Sequence, residues 1–85
     1  IAFPCCLSIN EIGGHYSPCP DDSTTLKNED LVKIELGAHI DGYAANAAHT
    51  IVIGGKSAGK KADAVLAAYN AFRAATRALK VGGLN

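Results

Sequence analysis

Glu35 and Asn46 are spaced so that a hairpin would aim both at one spot. They lie in the stretch Lys33–Thr50, KIELGAHIDGYAANAAHT. Asp41-Gly42 sits between two alternating runs, which is the strongest short-range hairpin cue. With those two residues as the loop, Ile40 pairs with Tyr43, Gly37 with Asn46 and Glu35 with Ala48. Side chains alternate faces along a strand. Glu35 and Asn46 therefore share a face as diagonal neighbours, roughly 7–8 Å apart. Gly37, opposite Asn46, has no side chain, so the reading leaves the space between them open. A carboxylate and an amide converging on an open spot point to a ligand site.

Carboxylates on adjacent strands can hold divalent ions, and bridging oxygen ligands can hold a metal pair. Glu35 is the only carboxylate of this pair. Asn46 is neutral and offers one weak carbonyl oxygen. His39 and Thr50 lie on the same face at a distance. These residues favour a half-buried polar face, satisfied by cross-strand hydrogen bonds, over a metal. His15 sits in GGHYSP, behind two flexible glycines. A loop histidine suits catalysis or substrate contact because it can donate or accept near neutral pH, although solvated loop histidines are commoner.

Two other constellations are weaker. Gly54–Lys61, GGKSAGKK, nearly matches the phosphate-binding loop G-x-x-x-x-G-K-[ST]. Its last position is Lys61, so the magnesium-binding hydroxyl is missing, and the strand before it belongs to an antiparallel hairpin. The bland reading is a solvated basic loop. Cys5, Cys6 and Cys19 make an odd set with one adjacent pair, a poor disulfide framework. Reduced thiols are expected, with Cys5 and Cys6 on opposite faces of a strand. Their spacing does not resemble a zinc site.

The elements that position these groups follow from pattern. Cys5–Asn10 reads as a short strand and 11–23 as a loop rich in Gly, Pro and Asp. In Leu31–Ile40 one face is apolar, with Val32, Ile34, Leu36, Ala38 and Ile40, and the other carries Lys33, Glu35, Gly37 and His39. Tyr43–Ile53 is the return strand. Lys60–Lys80 is Ala-rich, contains neither Gly nor Pro, and stops before Gly82-Gly83, which predicts a helix. Ala62, Val65, Leu66, Tyr69, Phe72 and Leu79 form its apolar stripe. The order predicts an α+β fold, with an antiparallel hairpin and a helix laid over the sheet.

The 85 residues suffice for one small core. There is no run of about 18 apolar residues, hence no helical membrane span. IAFPCC lacks the basic region of a secretory leader. The chain starts with Ile and ends in the turn-like GGLN, which reads as a piece of a longer chain. Equal acidic and basic counts, eight of each, argue weakly against non-specific nucleic-acid binding by this stretch.

AFPCCLSIN, GGHYSP, LKNEDLVKIELGAHIDGYAANAAHT and LKVGGLN together resemble the type II methionine aminopeptidase family, with its pita-bread fold. Within it they look most like the non-peptidase, proliferation-associated and curved-DNA-binding branch. The likeness covers nearly the whole of residues 1–85, as part of a single pita-bread domain. It implies that Glu35 and Asn46 align with two metal-binding aspartates, and His15 with a substrate-contacting histidine. The remaining ligands, a histidine and two glutamates, would come from elsewhere in the family's chain. By this resemblance the site is vestigial, with no catalysis, no metal and no cofactor. The branch implies an RNA- or ribosome-binding and protein-binding factor in growth regulation. It implies a cytoplasmic and nuclear location, nucleolar included, no membrane, and nucleic-acid contacts mostly outside this stretch. The alternative is a divergent active methionine aminopeptidase.

Overall fold

The computed structural model describes residues 1–55 and 58–84. Three strands and one helix follow in order: β1 (Phe3–Ile9), β2 (Leu31–Ile40), β3 (Tyr43–Val52) and α1 (Lys60–Ala78). The strands form one antiparallel sheet in the order β1-β2-β3. The expected hairpin register holds at every pair: Ile40 with Tyr43, Gly37 with Asn46, Glu35 with Ala48. Asp41 and Gly42 make the turn with φ of 50° and 85°. Positive φ at both central residues is the type I′ geometry whose twist matches the strands, and it is the reason glycine is wanted at position 42. Beyond Val52 the ladder continues into the loop, where Glu29 N donates to Ile53 O and Ile53 N to Asp30 O.

β1 starts two residues earlier than its pattern predicts and ends one residue earlier. Its partner is remote in sequence, and a register shift between Phe3 and Cys6 breaks the simple alternation there. Val32, 1% exposed, is central to the sheet, paired with Ile9 on one side and Ile51 on the other. Cys6 and Ser8 are buried opposite Glu35 and Lys33.

The helix forms as its composition predicts, but it does not cover the sheet. None of its residues is buried; only Ala62 and Val65, in its first two turns, are half-buried. Lys61 Nζ donates to Glu29 O at 2.6 Å and ties that end to the loop before β2. The rest of the stripe is open, with Phe72 69% and Leu79 79% exposed. The helix also ends at Ala78 rather than Lys80, because Leu79 turns extended. Gly82 comes too late to cap it and instead forms a separate turn, closed by Gly83 N donating to Lys80 O.

The loop between β1 and β2 is tied at its ends by side chains. Asp30 accepts from Lys27 N at 2.8 Å and from Asn10 Nδ2 at 2.9 Å. Asn10 Oδ1 in turn accepts from Leu31 N at 2.9 Å. The Lys27 N–H, and after it the Asn10 amide, hold the Asp30 carboxyl below the usual aspartate range. A carboxyl lowered by folding stabilises the fold above its unfolded pKa of about 3.9, and that contribution is lost as pH falls through the lower folded value. In the full-length protein, Asp30→Asn should speed exchange of the Lys27 and Leu31 amides at pH 5. The excess should shrink toward pH 3. An excess that persists unchanged at pH 3 would show that the carboxylate's charge is not what holds the loop.

Candidate functional site

The loop tie has a consequence for His15. Leu7 N donates to Tyr16 O at 2.7 Å and Tyr16 N donates to Ser8 Oγ at 3.2 Å, so Tyr16 is pinned beside β1. The Tyr16 hydroxyl also donates to Asp22. His15, the residue before, takes a left-handed φ of 61° behind Gly13-Gly14. Its Nδ1 then lies 3.8 Å from Glu35 Oε2. The imidazole is 94% exposed and the carboxylate 36% exposed, so their attraction is a surface one, worth little to stability.

β2 and β3 bring Asn46 to the same place. Phe3, Pro4, Cys6, His15, Glu35, Asn46, Ala47 and Ala48 line one cleft of about 540 Å³. The structure thus unites all three candidates, His15, Glu35 and Asn46. It does not unite the outlying pair: His39 pairs with Ala44 beside the turn, and Thr50 faces Lys33 at the other end. His39 Nδ1 instead accepts from Gly42 N at 3.4 Å.

One expectation is corrected. The space over Gly37 is not open. A methyl group there would sit 2.5 Å from Phe3 Cε1 and 2.7 Å from Asn46 Oδ1. Phe3, paired with Gly37 across β1 and β2, lays its ring into the gap beside the Asn46 amide. The cleft therefore has a wall from β1 that the hairpin alone does not reveal. The signal available was Gly37 itself, since an isolated glycine inside a strand marks a close approach. In the full-length protein, Gly37→Val should lower stability by about 1–3 kcal/mol through overpacking. Thermal unfolding checks this; an unchanged midpoint would mean that Phe3 does not hold that gap.

Cys6 is buried, with its thiol 3.4 Å from Pro4 O, while Cys5 is exposed, as alternation predicts. All three thiols are free. Among the described residues, no group of three or more His, Cys, Asp or Glu could hold a metal ion. Among the described residues, Glu35 is the one acid lining the cleft. The phosphate-loop-like stretch includes Lys56 and Ser57, which lie outside the described residues. The strand before it is antiparallel to its neighbour, not part of a parallel βαβ unit.

A family model, metallopeptidase family M24, matches residues 1–84. This chain is 54% identical to Proliferation-associated protein A of Dictyostelium discoideum, over 96% of its own length and 22% of that protein. It is 43% identical to ERBB-3 binding protein 1 of Arabidopsis thaliana, over 100% of its length and 22% of the relative. It is also 43% identical to a methionine aminopeptidase of Thermococcus onnurineus, over 95% of its length and 26% of that enzyme. The chain thus spans about a fifth to a quarter of the curated relatives it matches.

Proposed function

The chain belongs to metallopeptidase family M24, and on that footing we propose that it is part of a catalytically inactive methionine-aminopeptidase homologue with the pita-bread fold. The parent acts by binding RNA or ribosomes and protein partners in growth regulation, in the cytoplasm and nucleus, nucleolus included. The observation that carries this is Asn46. A neutral carboxamide stands diagonal to Glu35 where the family's chemistry needs a carboxylate bridging two metal ions. The donors that the described residues bring do not fit such a pair: among them Glu35 alone carries negative charge into the cleft, and Asn46 offers a neutral carbonyl oxygen. Without a bridging anion, two divalent ions are not held together to activate water and polarise a carbonyl.

The names of two relatives support the binding half of the reading, since one is called proliferation-associated and the other ERBB-3 binding. Equal numbers of acidic and basic residues in this stretch agree with phosphate contacts lying elsewhere in the parent. A divergent active peptidase is the second reading. It is favoured by His15 and Glu35 lying together in the cleft and by the likeness to the Thermococcus enzyme. Calorimetric titration of metal-stripped full-length protein with manganese or cobalt, with a methionyl-peptide assay on the same sample, separates the two. Neither two-site binding nor turnover is expected. Metal-dependent, multiple-turnover release of methionine would sink the proposal.

A further inference from the structure

We infer that Thr76 is a phosphoryl acceptor for a protein kinase that reads an arginine three residues before its target. The chain has two arginines, Arg73 and Arg77, and they flank this one threonine in FRAATRALK. Residues 60–80 carry Lys60, Lys61, Arg73, Arg77 and Lys80 against the single acid Asp63, whereas the remaining residues carry seven acids against three lysines. Charge pattern is a means by which kinases select substrates. A kinase that selects arginine presents carboxylates, and a guanidinium grips a carboxylate through two parallel N–H bonds. Arg73 makes no ion pair among the described residues; its guanidinium lies over the Tyr69 ring, 5.6 Å from the centroid. Ser17, Ser23, Thr24 and Thr25 lie in a loop of prolines and acids without an arginine, and Ser8 is buried.

The local structure makes the hydroxyl available. Thr76 is exposed and lies two residues before the end of α1. That end lacks a left-handed cap, since Leu79 is extended. Thr76 Oγ1 donates to Phe72 O at 2.8 Å and so competes with the helix's own bond to that carbonyl. No residue of α1 is buried, so unwinding its last turn into a kinase cleft gives up little packing. Thr76 Oγ1 then attacks the γ-phosphorus of magnesium ATP. The bond to the β-phosphate oxygen breaks, ADP leaves, and the hydroxyl proton passes to the kinase's catalytic aspartate. The product is regulatory by position. Thr76 falls on the apolar stripe, with Phe72 four residues before it and Leu79 three after. A phosphate brings a charge of about −1.5 to −2, which disrupts an apolar contact through repulsion and desolvation. Phosphorylation therefore strips cover from the second half of α1, whatever the state of the cleft.

The test uses full-length protein, magnesium ATP and a calcium/calmodulin-dependent protein kinase, whose substrates carry arginine at that position. Fragmentation mass spectrometry locates the phosphate, which should stand on Thr76. Arg73→Ala should lower kcat/KM for transfer to Thr76 roughly tenfold or more, by loss of a charge-assisted pair. Arg73→Lys should lower it less. Arg77→Ala removes the same charge from a position that the kinase does not read, and should change it little. Both arginines are exposed and alanine is the better helix former, so circular dichroism should not fall in either alanine variant. No phosphate on Thr76, phosphate confined to the loop hydroxyls, or equal losses from Arg73→Ala and Arg77→Ala would overturn the inference. So would phosphorylation of a synthetic peptide of residues 66–81 without phosphorylation of the protein, because the parent would then bury the helix end.

Discussion

Asn46→Asp in the full-length protein is expected to strengthen divalent-metal binding at the cleft. The argument is electrostatic. Two divalent ions about 3.5–4 Å apart repel by roughly 4 kcal/mol even at the dielectric constant of water. A carboxylate between them offsets this; a carboxamide, with no net charge, does not. In the native register Asn46 is opposite Gly37 and diagonal to Glu35, so an aspartate there places a second carboxylate on the same cleft without moving a strand. Manganese or cobalt affinity should rise by about a hundredfold or more, roughly 2.7 kcal/mol. Adding Glu35→Asp removes one methylene and should sharpen the effect if Glu35's length also matters. Methionine release should then rise from nothing detectable. A modest rise over an existing activity would instead favour the divergent peptidase. No gain in metal affinity would show that the missing bridge is not what disables the site.

What the sequence disclosed about that cleft, and what it hid, has a physical pattern. The register of β2 against β3 was legible because a two-residue Asp-Gly turn fixes it locally and the period-two alternation fixes the faces. Glu35 and Asn46 could therefore be placed together from spacing alone. β1 was not legible in the same way. Its partner is joined through about twenty residues of loop, and the irregularity between Phe3 and Cys6 shifts which side chain meets which. So Phe3 over Gly37 went unread, and an open space was expected where a ring lies. His15 reaches Glu35 only because Tyr16 bonds to Leu7 and Ser8. Such contacts between loop and strand leave no periodicity. The helix is the converse case. Its local propensity is strong enough to be read, but a stripe of apolar side chains says only that something covers it, not what.

That uncovered stripe gives the other large effect. The 85 residues alone are expected to associate rather than remain monomeric. Leu36, Ile40 and Tyr43 are exposed on the hairpin, Leu66, Tyr69 and Phe72 along the helix, and Leu79 just past its end. β3 also presents a ten-residue edge whose residues are mostly exposed. An unpaired edge without proline or lysine is a template for pairing with another chain. The helix adds to the tendency, because 19 residues without tertiary cover are only marginally helical in water. Its ends should fray and free the stripe to find another surface. Size-exclusion chromatography with light scattering should report dimers or larger species at tens of micromolar. The same residues within the full-length parent should not drive association if the remaining length, about three-quarters by its relatives, covers them. Phe72→Lys with Leu79→Lys should reduce self-association of the 85 residues without restoring a cooperative melt, since charge on the stripe removes the contact but supplies no core. A monomeric native chain with a sharp thermal transition would show that the sheet and helix form a sufficient core by themselves.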